Sequence, residues 1–135
     1  MSTYYTRTHE WIRLEGEDEG IVGVTQRRIL EYGEVVAVEL PEVGAEYEQH
    51  EPIGVIETIE GQEYYYRAPV SGEVLEVNAA LEEDPTLLNQ SAEDEGWIFR
   101  MRIEFPGELD DLMDAEEYEF YEEDSEEEYE EDEEF

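Results

Sequence analysis

Short apolar runs separated by turn residues set the pattern of this chain. Residues 11–14 form one run, an acidic stretch at 15–20 interrupts it, and Ile21, Val22 and Val24 resume it around Gly23. That order predicts a β-hairpin with glycine at its turn. Thr25 stands where a helix N-cap belongs and Gly33 where a helix stops, so residues 26–32 are predicted as a short helix. Residues 35–40 are apolar with little alternation, the pattern of a strand covered on both faces. A turn follows at 41–44. Strands are then expected at 53–59 and 64–68, joined around 60–63, where Gly61 supplies the turn's conformational freedom.

Past a further turn at 69–72, residues 72–77 alternate as a strand. Residues 78–88 are helical at their start, with Pro85 placed to open another turn of helix. Residues 97–103 put Trp97, Phe99, Met101 and Ile103 on one face and Ile98, Arg100 and Arg102 on the other. Pro106 is expected to open a last helix whose stripe is Leu109, Leu112, Met113 and Tyr118, running to about residue 119. Many short strands with peripheral helices predict an all-β sandwich or barrel. The expected organisation is one domain over 1–119 and an acidic disordered tail over 120–135.

Charge changes this picture. The formal net charge is −35 over 135 residues. Residues 116–135 hold fourteen of the forty-two acids, and the remaining 28 against seven arginines leave the body itself at −21. Such a field disfavours nucleic acid and anionic membrane surfaces; it is the pattern either of solubility or high-salt adaptation or of a protein that meets a basic partner. All seven cations are arginines (Arg7, Arg13, Arg27, Arg28, Arg67, Arg100 and Arg102), so there is no lysine anywhere in the sequence. With no cysteine, disulfides and thiol chemistry are excluded. No signal-peptide pattern or membrane-length apolar run is present, so the expected location is cytoplasmic.

Candidate chemistry is sparse. His9 and His50 lack the spacing of a metal pair, and no metal is expected. Glu57 and Glu60 fall near one turn, where solvated carboxylates are expected in place of a catalytic pair. There is no nucleophile–base motif and no phosphate-cradling glycine loop, so no catalytic residue is assigned. Tyr64, Tyr65 and Tyr66 are partner-binding candidates: strand alternation buries either the middle ring or the outer two and exposes the rest. Tyr118, Phe120, Tyr121, Tyr129 and Phe135 add an acidic-aromatic segment of the docking kind.

Several blocks, in order, resemble the H protein of the glycine cleavage system. Residues 5–12, reading Tyr-Thr-Arg-Thr-His-Glu-Trp-Ile, look like that family's opening strand. Residues 23–25 and 33–44 resemble its helix, central strand and turn, and residues 68–78 the strand after its lipoyl hairpin. Asp84-Pro85, Leu88-Asn89 and Glu95-Gly96-Trp97-Ile98 complete the match over about residues 4–118. The resemblance implies a hybrid sandwich or flattened barrel of the lipoyl/biotinyl-carrier type, with no catalysis of its own. Its partners would be glycine decarboxylase, aminomethyltransferase or lipoyl-transfer enzymes. The family reads a Glu, a small hydroxyl residue, an aliphatic and then the lipoylated lysine. This chain reads Glu57-Thr58-Ile59-Glu60, with one extra residue before Pro69. The resemblance thus implies lipoate as cofactor, while the matched position holds an acid that cannot form the amide. The expectation is a relative that binds or regulates without carrying lipoate. The alternative is an acidic adaptor for a basic partner outside glycine metabolism. An enzyme using the hairpin carboxylates is a third and weaker reading.

Overall fold

The computed structural model describes residues 2–121. Among the described residues nine strands form two open antiparallel sheets. The larger sheet contains β1 (Thr3–Tyr5), β2 (Glu10–Leu14), β3 (Glu19–Val24), β5 (Glu46–Tyr47), β8 (Gly72–Val77) and β9 (Phe99–Ile103), in the order β1-β2-β3-β9-β8-β5. The smaller contains β4 (Val35–Val38), β6 (Pro52–Thr58) and β7 (Glu63–Arg67), in the order β4-β6-β7. The sheets remain separate, so the architecture is a sandwich and not a closed barrel. Its core includes Ile12, Val22, Ile56, Val74, Phe99 and Met101, drawn from both sheets. No helix among the described residues is long and apolar enough to cross a membrane.

Local signals acted as expected at α1 (Gln26–Tyr32). The Thr25 hydroxyl accepts the Arg28 N–H at 3.3 Å, and Gly33, at φ +92°, donates its N–H to the Ile29 carbonyl. Both ends therefore satisfy backbone groups that the helix leaves over. Gly23 has a separate reason to be glycine: a Cβ there would sit 2.7 Å from the Trp11 ring. Helices α2 (Ala80–Glu83) and α3 (Leu87–Ser91) flank Pro85.

Four expectations need correction. Val36 is 45% exposed where burial on both faces was expected. Its strand, β4, is an edge of the small sheet and packs only one face inward. Ile98, placed on the face with Arg100 and Arg102, is fully buried; it precedes the ladder, which starts at Phe99, and belongs to the core cluster with Val22 and Leu81. The opening strand is two strands: residues 6–9 turn back, pairing Tyr5 with Trp11 and Thr3 with Arg13. The C-terminal helix is likewise broken. Pro106–Asp111 is a 3-10 helix, Met113 exchanges backbone bonds of 2.8 Å with Tyr5, and α4 (Ala115–Glu119) then starts afresh under an Asp114–Glu117 capping box. The bridge to Tyr5 takes Met113 out of helical register, which no stripe of apolar residues could reveal.

Candidate functional site

The hairpin formed by β6 and β7 carries the residues that sequence pointed to. Glu57 faces Glu63 across the ladder, and Thr58 donates its N–H to Gln62 at 3.0 Å. Gly61 closes the turn at φ +86°, its N–H on the Thr58 carbonyl at 2.9 Å. Positive φ is what makes glycine the suitable residue there. The turn is tied to the end of α1 by the Ile59 N–H on the Glu34 carbonyl at 2.9 Å. Glu60 lies at the tip in solvent, Ile59 is 63% exposed, and Thr58 is buried below them. The tip therefore presents a carboxylate and an aliphatic side chain.

The three tyrosines separate. Tyr66 is 1% exposed, and its hydroxyl donates to the Glu39 carbonyl at 2.5 Å; burial drives its pKa upward, with Tyr47 and Glu39 adding to the effect. It is a core residue and cannot serve as a partner contact in the folded chain. Tyr64 stacks on Tyr32 of α1, with ring centroids 3.7 Å apart and planes 8° from parallel, and its hydroxyl donates to Gln62. Tyr65, 63% exposed, is the ring left facing solvent. The outer two rings of the triplet are thus the ones used internally.

A buried polar network lies at the base of this hairpin, and sequence reading did not single it out. Glu10 is 2% exposed. Its Oε1 accepts the Thr6 hydroxyl at 2.6 Å and the Thr8 hydroxyl at 2.5 Å, and its Oε2 accepts the Arg67 N–H at 3.1 Å. Burial raises the Glu10 pKa, opposed by these hydrogen bonds. The Thr6, Thr8 and Glu10 alternation was the available clue: same-parity polar residues just before a core strand. His9, for which sequence predicted no metal role, is 1% exposed at φ 74°. Its Nδ1 shares a 2.6 Å hydrogen bond with the Tyr118 hydroxyl, which lies 2.8 Å from the Thr25 hydroxyl. Burial lowers its pKa to about 4, helped by Arg28 and Arg27.

Tyr121 is packed against the body. Arg27 lies over the Tyr118 ring at 4.2 Å and donates to the carbonyls of Tyr118 and Tyr121. The expected tail, apart from Phe120 and Tyr121, lies outside the described residues, as do Tyr129 and Phe135. Among the described residues no group of three His, Asp or Glu side chains is placed to hold a metal ion.

An open sandwich of two antiparallel sheets with one hairpin turned out to solvent is the architecture of the lipoyl/biotinyl-carrier class. The sequence model described as Glycine cleavage H-protein matches residues 3–125. The glycine cleavage system H protein of Symbiobacterium thermophilum is 47% identical over 117 residues, covering 87% of this chain and 90% of that one. The Thermus thermophilus protein of the same name is 49% identical over 115 residues, covering 85% and 88%. The crystal structure of a glycine cleavage system H protein from Mycobacterium marinum superposes with a TM-score of 0.77 at 31% identity, over 87% of this chain and 93% of that one. The chain belongs to the glycine cleavage H-protein family. It is accordingly a non-catalytic component and not an enzyme.

Proposed function

We propose that this chain is a glycine cleavage H-like protein that carries no lipoate and acts as a binding or regulatory relative of the glycine cleavage and lipoyl-transfer machinery. The observation that carries this reading is the tip of the β6–β7 hairpin. At the position where the family pattern has its lysine stands Glu60, exposed, in a chain with no lysine. Lipoate is attached through an amide to a lysine amine; a carboxylate offers no nitrogen for that bond. The residues present do not fit the group, and no carrier step is assigned. Family membership favours glycine decarboxylase, aminomethyltransferase or a lipoyl-transfer enzyme as partner. Exposed Ile59 and Tyr65, with Glu57, Glu60 and Glu63 around them, form the contact surface in this reading.

Intact-mass measurement of the natively produced protein tests the claim. The expected mass is that of the bare chain, and an increment equal to one lipoyl group overturns it. Glu60→Lys, produced with lipoate and a lipoyl-transfer enzyme, is expected to gain that increment, tracing the loss to the acceptor atom.

A further inference from the structure

Seven cations share this chain with forty-two acids. Arg28, Arg100 and Arg102 each pair with a glutamate. Arg13 lies over the Trp11 ring, and Arg27 is spent on the carbonyls that end α4. Arg7 and Arg67 differ. Among the described residues the Arg7 guanidinium makes no ion pair or hydrogen bond, and that of Arg67 donates only to the His50 carbonyl, at 3.1 Å.

Backbone contacts bring Arg7 and His50 to one cleft, with the Arg67 guanidinium on the His50 carbonyl outside its wall. The 6–10 turn is closed by the Thr6 N–H on the Glu10 carbonyl at 2.8 Å, which holds Arg7 at its tip. The Arg67 N–H reaches the Glu10 carboxylate of that turn, and the His50 N–H donates to Ala68 at 2.7 Å. A cavity of about 400 Å³ opens there, lined by Arg7, Thr8, His50, Asp111 and Leu112. The nearest acids do not neutralise it. Glu10 has both oxygens engaged inward, and Glu51 turns its Oε1 to the Glu48 N–H at 2.9 Å. Asp111 shares the wall but lies beyond ion-pair distance of Arg7. His50 sits at φ 71°, a left-handed conformation that a histidine adopts only at a cost. A glycine would fit that backbone without strain, yet it would remove the ring from the wall.

We propose that this cleft binds a small oxyanion, the carboxylate or phosphate of a ligand, through Arg7 and His50. A guanidinium is suited to the role because its planar fork matches two oxygens at once. Leu112 provides an apolar wall for the carbon portion of the ligand. The acidic surface opposes entry at long range, but its field decays over about 8 Å at physiological ionic strength, so the short contacts decide binding.

The test is titration of the full-length, isotope-labelled protein with inorganic phosphate and, separately, with acetate, using chloride at matched ionic strength as control. Saturable shifts are expected at the Arg7, His50 and Ala68 amides. Arg7→Gln should weaken binding roughly tenfold or more, since a charge-assisted pair is lost. Asp111→Asn should tighten it by removing a like charge from the wall. His50→Gly should weaken binding while raising the thermal midpoint, a combination that a purely structural role would not give. Saturation by phosphate alone marks a phosphoryl ligand, and by acetate alone a carboxylate. Unsaturable shifts with both anions, unchanged affinity in Arg7→Gln, or weaker binding in Asp111→Asn would each overturn the proposal.

Discussion

His9 and Glu10 are neighbours, both buried, and they respond to pH in opposite directions. The folded pKa of His9 is depressed from 6.5 to about 4, so the unfolded chain takes up a proton first as pH falls. The stability that neutral His9 contributes is complete above 6.5 and is lost as pH drops toward 4. Relative to His9→Asn, which tolerates the same backbone angle, the natural protein should lose at most about 3 kcal/mol across that window. Glu10 has a raised pKa, so its contribution is complete below its ordinary value of 4.5 and declines as pH rises. Compared with Glu10→Gln, the natural chain should therefore weaken toward neutral pH. Urea midpoints of the three proteins from pH 4 to 8 separate the two slopes. The burial of this His-Glu pair was not legible in sequence, because it depends on what the fold places over it.

At the scale of elements, two aromatic contacts fix the pieces that carry the site. The Tyr32–Tyr64 stack joins α1 to β7, so the hairpin is braced from the side. Tyr64→Ala should cost about 1–2 kcal/mol and raise hydrogen exchange through residues 62–66, leaving the large sheet protected. The second contact is Tyr118, which ties α4 to His9 and Thr25 and stacks on Tyr5 at 4.5 Å. Tyr118→Phe keeps the ring and removes the hydroxyl. A loss of about 1–3 kcal/mol is expected by calorimetry, since the hydrogen bonds to His9 and Thr25 are lost. α1 could be read from the chain because its cap and stop are adjacent to it. The break before α4 could not, because Met113 leaves the helix to pair with a strand more than a hundred residues earlier.

The whole molecule is dominated by like charge. At a net −35, compaction forces acids together, and added salt should relieve that repulsion. The thermal midpoint is expected to climb steadily as sodium chloride is raised from about 0.05 to about 0.5 M, where screening shortens sharply. A flat response would show that local pairs such as Arg100 with Glu76 already offset the field. Sequence alone determined the family, the order of most strands and the absence of lysine. Each of these is carried by residue identity at fixed spacing along the chain. Only the tertiary structure decided which tyrosine of 64–66 faces solvent, that His9 and Glu10 are buried, and that Arg7 and His50 line one cleft. Those depend on which distant segments cover or approach a side chain, and spacing along one strand carries no record of what lies across from it.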